Sequence, residues 1–482
     1  MNFADRRRFL SQMRSGNAFM KMRSEAGFGL LAMVLPLSHV VSANAQPVRC
    51  AEAKSDSSVA GWNMVRLGDA WSGVNVTYPA IKHKGNIYFG FYDADRRLSV
   101  AKYDPKTKRL CVGRIGSVFA GWDSHNGIAM AFDAQDRLHI AGNMHVSPLI
   151  YARATSPNSV DSFVLQKMVG TEENRTTYPR FDHDNSGRLI FIYRSGGSGD
   201  GKWIINVLHG TKWSRVNASA FLADHDQEGP LSAYPTDFVR GDDGTFHLAI
   251  VWRRKSDPAT NFLVSYASTR DFKNWYGAGG RRIGHILDPK TAETVDHVGA
   301  NGGLVTKVGL SLDQAGTPKI AYSKYTADGH NSLSLASFSS GRWTSRMIAK
   351  SDNPNKVSSR ANAMRSDVVR FAQFDAKGAS IIVTFPDEKP RKVGFQSTKG
   401  NASPSHGKGR RVQGPPIPAI PKGLLQATLR RVAVLEADGK PSEAVIQYFA
   451  QSAKRDRAID CTKTEARACA PPASPILLMW RR

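Results

Sequence analysis

Asp184-Asn185-Ser186-Gly187, followed by Arg188-Leu189-Ile190-Phe191-Ile192-Tyr193, reads as a tight turn running into an extended strand. Asp, Asn and Gly tolerate the positive φ that a short hairpin needs, and the apolar, β-branched and aromatic run that follows suits a pleated surface. The same signature recurs along the chain. It stands at Lys82-His83-Lys84-Gly85, Asp133-Ala134-Gln135-Asp136, Asp242-Asp243-Gly244 and Asp313-Gln314-Ala315-Gly316, then at Asp375-Ala376-Lys377-Gly378 and Glu436-Ala437-Asp438-Gly439. With anchors at 85, 136, 187, 244, 316, 378 and 439, the spacings are 51, 51, 57, 72, 62 and 61 residues. Each interval holds a four-stranded antiparallel sheet, and repeats of this length imply a radial array. The expectation is all-β: a seven-bladed β-propeller, with six or eight blades or several β-sandwiches as the competing arrangements. Between the last two anchors, residues 399–422 have no strand pattern and are rich in Gly, Pro and Lys/Arg, which predicts a long basic loop. Ser268-Thr269-Arg270-Asp271-Phe272-Lys273-Asn274-Trp275 looks like a degenerate Asp-box turn that lacks its Gly, with a structural role.

The ends of the chain bear on where it works. Residues 27–41, GFGLLAMVLPLSHVV, form an apolar run too short to span a bilayer comfortably. Lys21 and Arg23 precede it and Ser42-Ala43-Asn44-Ala45 follows, the order of an export signal cleaved after Ala45. Arg6-Arg7-Arg8-Phe9-Leu10 resembles a twin-arginine signal, and Met20 or Met22 is an equally good start. The expected division is therefore an export segment at 1–45 and a single propeller domain at 46–482, secreted or periplasmic. Cys50, Cys111, Cys461 and Cys469 are an even set that suits disulfides in an exported protein. Cys50–Cys111 would pin the mature N-terminus to the first sheet, and Cys461–Cys469 would close a short loop. No Cys-x-x-Cys occurs, which argues against a cysteine zinc site.

Charge points to the partner. The 482-residue chain carries +25, and residues 46–482 alone hold 60 Lys/Arg against 39 Asp/Glu. Such an excess favours a polyanion. Export turns that choice away from nucleic acid and towards an acidic polysaccharide, met by a monomer without a membrane span.

Two hairpins bring ionisable groups to one face. His125 lies ten residues before Gln135 and His145 ten after it. Tyr178 and Arg194 lie eight residues either side of Ser186. Equal distances from a turn place residues opposite each other on paired strands, with Cβ atoms ~5 Å apart. Both pairs sit at the strand ends away from their turns, which in a propeller is one common face. Each residue has a plainer reading: a hydrogen-bonded structural histidine, a rim arginine, or a packing tyrosine, since Tyr78-Pro79 and Tyr234-Pro235 repeat the Tyr178-Pro179 pair.

These residues carry a family resemblance. Asp123-Ser124-His125-Asn126-Gly127, Leu138-His139-Ile140-Ala141-Gly142-Asn143-Met144-His145, Thr177-Tyr178-Pro179-Arg180-Phe181 and Tyr193-Arg194-Ser195-Gly196 resemble the BNR-repeat propeller family that includes ulvan lyases. The resemblance is best over residues 60–345. It implies cleavage of a sulfated, uronate-containing polymer at C4 of the uronate, with His125 and Tyr178 for proton transfer and His145 and Arg194 quieting the carboxylate. Asn126, Arg180, Tyr234, Arg253, His297 and Asn301 are further candidates for binding substrate. The chemistry suits the residue types. Arg offers a permanent charge and a planar fork for a carboxylate. His is able to take a proton near pH 7. Tyr is able to protonate the departing oxygen. The scheme requires neither metal nor cofactor. Two other readings stand beside it. A glycoside hydrolase would need two facing carboxylates, for which Asp123, Asp182 and Asp237 are available. A non-catalytic glycan-binding propeller would need only the basic face.

Overall fold

The computed structural model describes residues 48–53, 55–56, 61–119, 123–354, 369–384, 391–394, 415–424, 427–451 and 473–481. The expected export segment, Cys461, Cys469 and most of the basic loop lie outside them. Among the described residues the fold is all-β, with one 3-10 turn at Pro258–Thr260. None of its helices is long and apolar enough to cross a membrane.

Each recurrent turn opens an antiparallel sheet. Ala129–Phe132, Leu138–Ala141, Tyr151–Ala154 and Phe163–Leu165 form one; Thr176–His183, Leu189–Ser195, Lys202–His209 and Lys212–Arg215 form the next. A further sheet is built on Ser232–Pro235, Phe246–Arg253, Asn261–Thr269 and Glu293–His297. Gly309–Leu312, Pro318–Tyr325, His330–Ser339 and Arg342–Pro354 form another, and Arg370–Asp375, Ser380–Thr384 and Arg391–Gly394 a three-stranded one. The opening strands of successive sheets touch: Ala80–His83 meets Ala129–Phe132, which meets Thr176–His183. Gly309–Leu312 meets Arg370–Asp375 in the same way. This is a propeller-like arrangement, with first strands innermost.

The turns explain why the pattern was readable. Asp93, Asp133, Asp184 and Asp313 each accept two backbone N–H bonds on one carboxylate oxygen, from residues two and four further on. That local capture holds the turn with bonds made inside it, independent of contacts from other sheets. Gly85, Asp136, Gly187, Gly244, Gly316 and Gly439 take the positive φ. At the sixth anchor the positive φ falls on Ala379 and not on Gly378, one residue from the expected place. The Asp-box-like segment is also a turn: Asp271 accepts the N–H groups of Lys273 and Asn274, and Trp275 is fully buried.

The two ends of the domain meet. The strand Trp62–Ala70 pairs antiparallel with Ser474–Arg481, from Trp62 against Arg481 to Ala70 against Ser474. The C-terminal strand is thereby paired along its length with one from the N-terminal side of the domain. Together with Ala427–Leu435 and Pro441–Gln451 they join the first sheet through one parallel bridge, Leu435 to Ile81, giving ten strands in one path. The expected disulfide is present between Cys50 and Cys111, tying Arg49–Glu52 to the outer strand Arg109–Val118 across 61 residues. Disulfides closing long loops contribute about 2–4 kcal/mol. Cys111→Ser should therefore lower the thermal midpoint by several degrees. An unchanged midpoint under oxidising conditions would show that the tie carries no stability.

Candidate active site

His125 and His145 lie outside the strands, four residues beyond the ladder formed by Ala129–Phe132 and Leu138–Ala141, whose last pair is Ala129 with Ala141. The equal overhang still brings them together: their rings stack with centroids 4.3 Å apart. Asp123 organises both. One carboxylate oxygen contacts Nδ1 of His125 at 2.5 Å and also accepts that residue's backbone N–H; the other contacts Nδ1 of His145. A carboxylate accepts, so each Nδ1 carries a proton, and Nε2 is in each ring the nitrogen not bonded to Asp123. Burial raises the Asp123 carboxyl, but the two imidazole contacts outweigh it and hold the group well below the usual carboxylate range. Asp123 was weighed in the sequence only as a hydrolase carboxylate; its spacing from His125, two residues, matches an Asx turn and was the signal available.

Tyr178 and Arg194 depart from the expected geometry. Arg194 pairs with Thr177, not Tyr178, because the ladder slips between Thr177 and Arg180. Tyr178 occupies that irregularity with φ 56°, a conformation in which a bulky residue is rare. The following proline has no N–H to offer the ladder, which makes the slip inexpensive here. The result turns the phenol towards the histidines, with ring centroids 5.8 Å from His125. The far face stacks on Trp203 at 6.0 Å. Burial raises the phenol pKa, and the nearby Arg194 only partly offsets this. Tyr178 is therefore a neutral phenol at neutral pH.

Arg194 is not a rim charge: it is 1% exposed. Its guanidinium lies 4.8 Å from the Tyr178 ring and 5.9 Å from the Tyr234 ring. Nε donates to the Gly196 carbonyl, while the buried Nη1 has no hydrogen-bond partner. An unmet buried cationic donor is costly, and an anion reaching it would relieve that cost. The stack continues: Arg253 lies 4.3 Å from the Tyr234 ring and donates to its hydroxyl, and Asn261 accepts from Arg253 Nε. The segment Ser195–Gly201 wraps this column. Its Gly199 and Gly201 N–H groups donate to Ser232 Oγ, Ser232 donates to the Gly197 carbonyl, and Ser198 bonds the Tyr234 hydroxyl. A Cβ on Gly201 would stand 2.7 Å from Arg194 Cδ. None of Ser198, Gly201, Ser232 or Asn261 stood out in the sequence, although the run Ser195-Gly196-Gly197-Ser198-Gly199-Asp200-Gly201 is a visible departure from strand composition.

The remaining candidates divide. Tyr234 and Arg253 belong to the column. Asn126 is buried and closes the turn on the Asp123 carbonyl. Arg180 donates to the Thr236 and Pro235 carbonyls and pairs with Asp237, stapling two sheets. His297, at the end of the outer strand of the next sheet, and Asn301, in the turn that follows it, are exposed, and no described contact joins them to the histidines. Tyr78, the third Tyr-Pro tyrosine, is core, packed on Phe89, Tyr92 and Tyr448. Among the described residues, Asp123, His125 and His145 are the one group able to hold a metal ion, with ligand atoms within 4.8 Å of one another.

A family model described as "BNR repeat-containing family member" matches residues 86–351. No curated protein matches the sequence. Among solved structures, a PL25 ulvan lyase bound to -[GlcA(1-4)Rha3S]- superposes with a TM-score of 0.54 at 13% identity, covering 82% of this chain and 94% of that one. A second structure of the PL25 ulvan lyase gives the same values. The polysaccharide lyase Uly1 matches at 12% identity and a TM-score of 0.47, over 84% of this chain and 90% of that one. At such identities the likeness is one of fold.

Proposed function

Because the chain belongs to the BNR repeat-containing family and shares its propeller-like fold with an ulvan lyase, we propose that it is an exported polysaccharide lyase acting by β-elimination on an acidic, ulvan-like polymer. The fold is read as seven blades, the last built from both chain ends, following an export segment at 1–45. The observation that carries the reading is the meeting of unlike groups at one place: two stacked imidazoles held at Nδ1 by one carboxylate, a neutral phenol, and a guanidinium with an unmet donor behind it.

In this scheme the uronate carboxylate approaches the Tyr178–Arg194–Tyr234 column and accepts a hydrogen bond from His145 in its doubly protonated form, through Nε2–H. Neutralising the carboxylate makes the C5 proton acidic enough to remove, since the carbanion then resembles an enolate. His125 Nε2 takes that proton, with Asp123 holding the tautomer and stabilising the imidazolium that forms. Tyr178 gives its proton to the oxygen leaving C4. The C4–O bond breaks as the C4–C5 double bond forms, and no water is consumed. A phenol kept neutral by burial suits the acid role, and an imidazole suits the base role.

Hydrolysis is the second reading, and its support lies elsewhere. Burial raises the carboxyl of Asp182, and Asp237 adds repulsion, a combination that suits a general acid. The products separate the two. Elimination leaves a double bond conjugated with the carboxylate, which absorbs in the ultraviolet; hydrolysis leaves saturated ends. The purified protein should generate ultraviolet absorbance from a uronate-containing polysaccharide, one new chromophore per cleaved bond. Saturated products alone would replace the lyase reading with the hydrolase one.

A further inference from the structure

His145 stands in a loop slung between two sheets. On one side, the Asn143 side chain donates to Ser117 Oγ at 2.6 Å and to the Val118 carbonyl at 3.0 Å, on the outer strand of the preceding sheet. On the other, Val146 donates its backbone N–H to Thr177 Oγ1 at 2.8 Å, on the first strand of the following sheet. Ser147 reaches the same strand, its carbonyl accepting the Thr176 N–H at 2.7 Å.

The loop holds residues in a conformation that side chains resist. Asn143 has φ 62° and Val146 has φ 51°. Asparagine tolerates that region, but a β-branched residue there is an outlier. Such a residue stays only where its surroundings fix it. The Thr177 hydroxyl makes the fixing contact on the Val146 N–H. Without it, Val146 would relax towards negative φ and turn the peptide that joins it to His145.

Thr177 is well placed to tie this loop to the rest of the site. It is fully buried. Its partner across the ladder is Arg194, and the next residue is Tyr178, whose own φ is 56°. Thr177 thus adjoins Arg194 and Tyr178 through its backbone and reaches the His145 loop through its side chain. A change confined to the hydroxyl therefore acts on His145 and leaves the other two where they are.

Resting on the lyase reading above, we propose that Thr177 is a positioning residue: its hydroxyl holds the Val146 peptide and so keeps the His145 imidazole on Asp123 and beside the substrate carboxylate.

Thr177→Val keeps the branched shape and removes the hydroxyl, whereas Thr177→Ser keeps the hydroxyl. On ulvan, Thr177→Val should lower kcat/KM about tenfold, the scale of one lost hydrogen bond, and Thr177→Ser should stay within about twofold of the wild type. In a His145→Ala background Thr177→Val should cost less than about twofold, because changes that act through one another do not add. A further readout needs no turnover. The His145 Nδ1–H, bonded to Asp123, is followed by proton–nitrogen NMR on protein with labelled histidines and assigned by its loss in His145→Ala. Its signal should move in Thr177→Val and return in Thr177→Ser, while that of the exposed His297 stays put. Equal losses in the two Thr177 variants, an undiminished loss in the His145→Ala background, or an unmoved His145 signal would overturn the assignment. Should the wild type form no unsaturated product from ulvan, the lyase reading has failed and the NMR comparison alone decides. A signal that moves in Thr177→Val and returns in Thr177→Ser then supports the positioning role, and an unmoved one refutes it. Should Thr177→Val not fold, Thr177→Ala takes its place in each comparison.

Discussion

Tyr178→Phe is expected to lower the rate of unsaturated-product formation by about 10²–10⁴, the usual contribution of a positioned acid–base group, with the fold intact. The substitution removes one oxygen and keeps the ring that stacks on Trp203 and covers Arg194. The three Tyr-Pro tyrosines supply internal controls, because the structure gives them different surroundings. Tyr78 is 3% exposed in the core, and Tyr78→Phe removes a buried hydroxyl that has no partner. That change should leave turnover alone and leave stability equal or higher. Tyr234→Phe breaks bonds from Ser198 and Arg253, so it should loosen the column and cost a smaller factor in rate. His125→Ala should match Tyr178→Phe in severity. Asp123→Asn tests the tautomer argument, since an amide is able to donate to one Nδ1 and so select the wrong form; a loss in kcat with little change in KM is expected. If Tyr178→Phe lowers the thermal midpoint and spares turnover, the residue is structural and the acid has been misassigned.

The sequence made the architecture readable because each sheet opens with a turn whose chemistry is local. Asp184 captures the N–H groups of Ser186 and Arg188 within its own hairpin, so the signal does not depend on distant contacts. The pairing of His125 with His145 was legible for a related reason: equal distance from a turn survives even where the ladder stops short of both residues. Tyr178 against Arg194 was legible only in part. A one-residue slip at Pro179 breaks the counting rule, and nothing in the spacing announces which residue bulges. The support around Arg194 was hidden altogether. Ser232, 38 residues further along the chain and in the following sheet, braces the Ser195–Gly201 segment, and Asn261 holds Arg253 within that same sheet; the bracing by Ser232 comes from packing between sheets that no local pattern encodes. Arg180 shows the converse. A cation in a suggestive motif turned out to be committed to the Thr236 and Pro235 carbonyls, because an inner-strand arginine lies within reach of its neighbour's backbone.

Arg194→Met should reduce kcat by about 10²–10³, the scale of losing one preorganised donor to a developing charge, and should not reduce stability. The two halves of that expectation come from the same facts. The guanidinium is 1% exposed with Nη1 unmet, so in the free protein it is a buried charge with incomplete compensation. Replacing such a group by an apolar chain of similar length is neutral or favourable for folding. Met keeps an apolar stem along Gly201 and gives up the guanidinium's approach to the two tyrosine rings. Arg194→Lys should recover little, because a compact ammonium neither stacks between two rings nor presents a fork. Gly201→Ala extends the test without touching the charge. The added Cβ would stand 2.5 Å from the Gly197 carbonyl oxygen and 2.7 Å from Arg194 Cδ, so the Ser195–Gly201 segment must shift and carry the guanidinium with it. A displacement of that kind should raise KM for a uronate polymer and lower kcat together, by less than the loss of the charge itself. A thermal midpoint that falls in Arg194→Met while turnover persists would show that the column exists to hold the sheets together, and the carboxylate would then need another partner.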